Sequence, residues 1–455
     1  MYTAIILILP LALLILAAFR GWSVLVAAPV MALVGAALSS EPAMATLTER
    51  YMPALGGFIV SYLPLFLLGA VFGRLMEVSG AALSIARAIV NRLGPAQAIP
   101  AVVLACAVLT YGGVSLFVVA FAVYPLALAL FRTTGVSERL IPGAIALGAF
   151  TFTMSALPGT PAIQNAIPMP YFGTNAFAAP GLGIIAATIM GLGGLSYLHL
   201  ISRQPAYQSP AQADAFSMEA SAGPPVVLAA LPVVLVITLN YLLSKLVFPA
   251  LDLSYLASPD WGGLTPGAVV GVWSLILSLS LSILALIGLM WSRLATPVAS
   301  IGEGAEAALL PLFNTASLVG FGAVVAGLPA FAAVVALIDD LPGGPVLGLA
   351  ASTSLLAGFT GSASGGMSIA LEALGAQYLQ QAQALGISPE LLHRVTALAT
   401  GGLDALPHNG AVITLLGIGG LTHKQAYGPV FVVAVVIPVA ALAAVLLLSS
   451  LFGSF

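Results

Sequence analysis

GGLDALPHNG, residues 401–410, sets an acid, a proline, an imidazole and an amide between two apolar runs. Pro407 withholds a backbone donor and Gly410 loosens the chain, so the spacing predicts a helix through Ala397–Asp404 that breaks and restarts through Ala411–Gly417. A break frees backbone N–H and C=O groups. At membrane depth such groups persist only where protein buries them or a watery cavity receives them. Broken helices of this kind mark the solute or ion site of a transporter.

The rest of the chain agrees. Of 455 residues, 60% are hydrophobic and 6% charged, a composition no water-soluble fold could bury. This is an all-α integral membrane protein. The single cysteine, Cys106, excludes an intramolecular disulfide framework. The N-terminal run MYTAIILILPLALLILAAF has no Lys or Arg ahead of it and reads as a retained first helix rather than a signal peptide.

Apolar spans fall at 2–19, 22–39, 58–78, 140–165, 178–200, 226–247, 264–291, 305–327, 390–417 and 428–452, each near the ~20 residues of a bilayer crossing. Two further segments, 98–131 and 345–386, are interrupted at Tyr111–Ser115 and Thr360–Gly366 and read as re-entrant hairpins. Residues 80–93, with Arg87 and Arg92, read as an amphipathic interfacial helix. With the N-terminus outside, Arg20, Arg74, Arg87, Arg92, Arg132, Arg139, Arg203, Arg293 and Lys424 lie on the cytoplasmic side, leaving Arg50, Lys245 and Arg394 outside. Both termini are then outside, in an inner-membrane topology, and the polar stretch 203–224 becomes a cytoplasmic linker.

The halves on either side of that linker resemble each other. Gly112, Gly113 and Ser115 match Gly365, Gly366 and Ser368 at an offset of 253 (365 minus 112), and Gly135–Ser137 match Gly386–Ser388 at 251 (386 minus 135). Leu157–Pro158 match Leu406–Pro407 at 249 (406 minus 157). Ordered matches at slowly drifting offsets indicate an internal repeat. Its first copy is 1–202, with hairpin 98–131 and broken helix 140–175; its second is 225–455, with hairpin 345–386 and broken helix 390–420. Five spans per half, an odd number, insert the second copy upside down, the inverted repeat of secondary transporters.

Hairpin tips and breaks should then meet near the midplane. Candidate substrate contacts are Tyr111, Gly112, Gly113 and Ser115; Gly159, Thr160, Gln164 and Asn165; Ser362, Ser364, Gly365, Gly366 and Ser368; and His408, Asn409 and Gly410. Glycines let the tips approach, hydroxyls and amides supply neutral hydrogen bonds, and helix N-termini after each break suit a carboxylate. No arginine lies in these stretches, and an anion held by helix N-termini needs none. Taken singly, the serines and glycines read more readily as packing residues than as ligand contacts, and it is their clustering at the breaks that favours a site.

The runs GGVSLFVVAFAVYPLALALF, TMSALPGTPAIQNAIP, AAPGLGI, GSASGGMSIALEALG, HRVTALATGGLDALPHNGAV and LTHKQAY resemble the gluconate permease family of the ion transporter superfamily. The resemblance covers nearly the whole chain. It implies a proton-linked uptake carrier for a small hydroxylated or amino monocarboxylate (gluconate, related sugar acids, D-serine or 3-hydroxybutyrate) and a homodimer in which a transport domain moves like an elevator. Sugar-acid members carry a proline- and histidine-rich first break, whereas here it is Leu157, Pro158, Gly159, Thr160 and Pro161. The chain looks closer to the 3-hydroxybutyrate branch.

Proton coupling needs a group that changes charge, and Asp404, His408 and Glu372 are the candidates. Each has a plain structural reading too: Asp404 as a helix cap or fixed partner, His408 as a bond to freed backbone, Glu372 as a solvated residue at the hairpin mouth. His393 with Arg394 reads as an interfacial anchor, His423 with Lys424 as a cytoplasmic loop, and His199 as the interfacial end of a span; Glu303 and Glu306 fall at a helix start, Asp339 and Asp340 in an outer loop. Other classes fit less well. Neither HExxH nor GxGD occurs, so a membrane-embedded protease lacks its motif, and a passive channel explains opposed hairpins less well than alternating access does. No cofactor, metal or nucleic-acid partner is expected; the partners are the bilayer, the organic anion and H+, with sodium as the alternative coupling ion through backbone carbonyls.

Overall fold

The computed structural model describes residues 9–14, 16–17, 20, 22–211, 223–331 and 343–455. Most of the expected span 2–19, the middle of the linker, and Asp339 with Asp340 lie outside the described residues. Among those described the regular structure is helical, relieved by one bridge between Val136 and Gln208. Seven of the described helices are long and apolar enough to cross a membrane: Ala43–Val78, Leu116–Thr134, Pro180–Ser202, Val226–Ala250, Pro266–Arg293, Pro297–Ala326 and His423–Phe452. The fold is that of an all-α integral membrane protein.

Three of these begin earlier than hydropathy indicates, because polar residues at their starts are helix-compatible. Residues 43–57 join the helix that the sequence starts at 58, passing Glu49 and Arg50 through a wide turn at Thr46–Tyr51. Tyr51 there is buried, its hydroxyl 2.6 Å from Ser317 Oγ. Glu303, expected to serve the start of its own helix, instead accepts from Arg74 on Ala43–Val78 at 2.6 Å. These two helices pack along each other between the halves.

Both hairpins form where the sequence places them. The first pairs Ala98–Tyr111 with Leu116–Thr134 and the second pairs Gly344–Thr360 with Ala363–Ala384. Each turns on a glycine with positive φ, Gly113 at 93° and Gly361 at 61°. Helix Ala81–Leu93 buries Ile85, Ala86 and Val90, leaves Arg92 exposed, and meets the first hairpin at 107°.

The first broken helix runs through Ile141–Ala149, then short turns at Phe152–Ser155, Ile163–Ala166 and Pro168–Phe172. The second runs through Pro389–Thr400, a turn at Leu403–Ala405, and Gly410–Ile418. Its first arm ends at Thr400 rather than Asp404, because Gly402 leaves helical geometry before the proline is reached (φ −134°, ψ −82°). Hairpin, broken helix and long apolar helix thus follow in the same order in both halves. The linker starts docked rather than free: Tyr207 O accepts from Ser137 N, and Ser209 N donates to Gly135 O, both at 2.9 Å.

Close approach holds the second hairpin together. A Cβ on Gly366 would overlap the backbone of Ala357 in the opposite arm, whereas Gly288 faces open space. Gly366→Ala should therefore destabilise the protein by about 1–3 kcal/mol, seen as a lower melting temperature in detergent, and Gly288→Ala should not.

Candidate functional site

Each break is pinned by an asparagine. Asn165 is fully buried and its Nδ2 donates to Thr160 O and Ala176 O, both at 3.0 Å. Asn409 Nδ2 donates to Asp404 O at 2.9 Å and to Gly361 O at 3.0 Å, tying the second break to the second hairpin tip. Both amides reach the carbonyl five residues back. Asn409 Oδ1 also caps the restarting helix, accepting from Ala411 N at 2.6 Å and Val412 N at 3.0 Å. Tyr111 performs the matching tie in the first half, donating from its hydroxyl to Pro158 O at 2.6 Å.

Both tips and both breaks line one cavity of about 1040 Å³. The first tip contributes Thr110, Gly113 and Ser115, and the first break Pro161 and Gln164. From the second half come Gly361, Ser362 and Ser364, then Asp404, Asn409 and Gly410. Leu116, Phe117 and Val118 also face it; they are the first turn of their helix, so their N–H groups have no intrahelical acceptor, and the Ser115 side chain does not cap them. Three buried polar atoms of cavity-lining residues lack a protein partner: Thr110 Oγ1, Gln164 Oε1 and Asn314 Oδ1. Buried polar groups are ordinarily bonded, so a solute or water is their natural partner. At the mouth Arg74 bonds both Glu77 and Glu303.

The other candidates stand behind this wall. Gly112 packs on Val233, Gly159 on Phe177, Gly365 on Leu318 and Gly366 on the hairpin's first arm. Thr160 is fully buried, its Oγ1 accepting from Ala162 N at 3.3 Å, and Ser368 is fully buried with no partner for its hydroxyl. The His408 ring lies against Gly361 at the second tip. Glu372 belongs elsewhere: it accepts from the Tyr171 hydroxyl at 3.1 Å beside a separate cavity of about 590 Å³, shared with Arg50 and Tyr62.

Two sequence readings are corrected. His393 and Arg394 are not interfacial; both are wholly buried and reach from the second broken helix into the first. Asn165 Nδ2 faces two carbonyls, so its Oδ1 faces donors: His393 Nε2 at 3.1 Å and Arg394 Nη1 at 3.3 Å. Thr174 Oγ1 meets His393 Nδ1 at 2.6 Å. His423 is not merely a loop residue, since its Nε2 donates to Pro407 O at 2.8 Å. Asn314 was passed over, because it lies inside the apolar run 305–327 and at no break.

Two hairpins and two interrupted helices around one cavity with a few polar groups in its wall, set among membrane-length helices, are the architecture of a membrane transporter. The chain is 44% identical, over 99% of its own length and 99% of the relative's, to the uncharacterized transporter YxjC of Bacillus subtilis (strain 168). It belongs to that transporter family. The crystal structure of the Alcanivorax borkumensis YdaH transporter, described as having an unusual topology, shares the fold: TM-score 0.55 and 16% identity over 88% of this chain and 87% of that one. No family model matches.

Cys106 is buried and is the only cysteine, so a Cys106→Ala background permits single-cysteine mapping. Ser364→Cys and Gln164→Cys should react with a water-soluble thiol reagent and Ser368→Cys should stay unreactive; equal labelling of all three would mean that no cavity separates them. Asn409→Ala removes a helix cap and the tip-to-break tie together. It should cost about 1–2 kcal/mol and reduce solute uptake at least tenfold, measured in proteoliposomes.

Proposed function

We propose that the protein is a secondary active transporter, a proton-coupled symporter of a small hydroxy monocarboxylate resembling 3-hydroxybutyrate. The observation that carries this reading is the sorting of backbone groups at the cavity. Carbonyls freed by the breaks are occupied by protein donors: Thr160 O and Ala176 O by Asn165, Pro158 O by Tyr111, Pro407 O by His423 and Asp404 O by Asn409. Leu116, Phe117 and Val118, whose N–H groups the Ser115 side chain does not cap, line the cavity. Donors without acceptors suit an anion. Occupied carbonyls suit a sodium ion poorly, which favours H+ as the coupling ion.

The neutral acceptors Gln164 Oε1 and Asn314 Oδ1 suit the hydroxyl of such an acid. Asp404, in the cavity wall, is the group we assign to the proton, since an intramembrane carboxylate facing a cavity is a natural carrier of charge change. His408, against the second tip, is assigned to shaping that tip and to the proton path. The halves act as inverted repeats, and hairpins and breaks move together as the transport domain of a homodimer in the inner membrane, both termini outside. The long packed helices Ala43–Val78 and Pro297–Ala326 belong to the opposing scaffold.

Uptake of labelled 3-hydroxybutyrate into proteoliposomes, with and without an imposed pH gradient, tests this. Accumulation above equilibrium that follows the pH gradient is expected. Equilibration alone would indicate a channel, dependence on sodium alone would replace H+, and chemical change of the solute would indicate an enzyme. Asp404→Asn should abolish pH-driven accumulation while sparing exchange of internal for external solute; equal loss of both would return Asp404 to a structural role.

A further inference from the structure

Arg394 heads the fully buried side chains by size among the described residues, and the transport reading has no use for it. Its Nε and Nη2 donate to Ala178 O at 3.0 and 2.8 Å, and Nη2 also to Ala176 O at 3.5 Å. Nη1 donates to Asn165 Oδ1 at 3.3 Å and to Ser155 O at 3.5 Å. All of these acceptors are neutral. Among the described residues, the ion pairs within 4 Å are those of Arg50, Arg74 and Arg132, so no carboxylate pairs with this guanidinium; Glu390, one turn earlier on the same helix, acts on it only from a distance.

A buried, uncompensated cation is costly, and tying carbonyls does not require one. Asn409 binds freed carbonyls at the second break with a neutral amide. The charge at the first break therefore calls for a purpose beyond hydrogen bonding. Its position supplies one. Ser155, whose carbonyl receives Nη1, is part of the cavity wall, and Asn165 adjoins the wall residue Gln164. The guanidinium lies directly behind the surface that would face a solute, where charge is weakly screened. Asp404 occupies the same wall, and Glu77 and Glu303 outnumber Arg74 in the lining, so a buried cation offsets acidic groups that would otherwise repel a carboxylate.

We propose that Arg394 is a positioning residue whose unpaired positive charge, held behind the first helix break, sets the cavity's preference for anions. It repels cations and draws a carboxylate toward the uncapped N–H groups of Leu116–Val118 without gripping it, so release stays fast. This inference rests on the carboxylate reading above.

The test compares an acid with its neutral amide in full-length protein reconstituted into proteoliposomes. Uptake of labelled 3-hydroxybutyrate is competed with unlabelled 3-hydroxybutyrate and with 3-hydroxybutyramide, in wild type and in Arg394→Lys, Arg394→Gln and Asn165→Asp. The last places a carboxylate where the Arg394-facing oxygen now stands. Arg394→Gln and Asn165→Asp should each weaken the acid about tenfold while leaving the amide unchanged, and Arg394→Lys should keep most of the discrimination. Equal loss for acid and amide in all three variants, tracking a fall in melting temperature, would overturn the proposal by making Arg394 purely structural. So would wild-type discrimination in Arg394→Gln. If Arg394→Gln does not reach the membrane, the same ratio in Arg394→Lys and Asn165→Asp decides. Wild type that takes up neither 3-hydroxybutyrate nor gluconate would overturn the functional reading itself, an outcome separate from these.

Discussion

A peptide group in hydrocarbon must find a partner, and this chain interrupts two helices at membrane depth. The architecture around the cavity follows from how those partners are chosen. Side-chain donors are concentrated on the freed carbonyls: two asparagine amides, an arginine, a histidine, and the hydroxyls of Tyr111 and Tyr427, the last donating to Ala405 O at 3.1 Å. Acceptors for freed N–H groups are fewer, chiefly Asn409 Oδ1 and Ser362 Oγ, which accepts from Gly365 N at 3.1 Å. What remains over is donor capacity aimed inward. The breaks give their carbonyls to protein donors, whereas the first turn of the hairpin helix Leu116–Thr134 has no side-chain cap.

The same bonds decide which parts can move independently. Asn409 fastens the second tip to the second break, and Tyr111 fastens the first tip to the first break. Arg394 and His393 then fasten the second broken helix to the first through Asn165. Tips and breaks are therefore one mechanical unit spanning both halves. Moving one of these parts without the others would break buried hydrogen bonds at about 1–3 kcal/mol each.

Much of this was legible in the chain because backbone punctuation is written in residue types. Proline and glycine within apolar runs marked both breaks and both tips, and the drifting offsets between Gly112 and Gly365 or Leu157 and Leu406 paired them. What hydropathy could not register was the environment of a charge. In LLHRVTALAT every residue of Leu391–Thr400 is buried, so the helix has no polar face to flag, and a His-Arg pair near its start looks like any membrane anchor. The signal that could have found it was chemical. The carbonyls of Ser155, Ala176 and Ala178, on either side of the break at Leu157–Pro161, need donors, and an arginine elsewhere in an apolar run was an available supplier.

Helix starts were misjudged for a related reason. Glu49 and Arg50 lower hydropathy without lowering helix propensity, so Ala43–Val78 extends fifteen residues before the apolar run at 58, counting 43 to 57. That extension is not idle. It brings Tyr51 onto Ser317 and Arg50 Nη1 onto Gly327 O at 3.2 Å, clamping the long helix to Pro297–Ala326 near one end, while Arg74 to Glu303 clamps it toward the other. Two polar clamps bracketing an apolar seam fix the relative register of these helices, which hydrophobic contact alone leaves free to slip in lipid, where tails compete equally for apolar surface. The clamps therefore make Ala43–Val78 and Pro297–Ala326 a paired frame beside the cavity that both helices help to line.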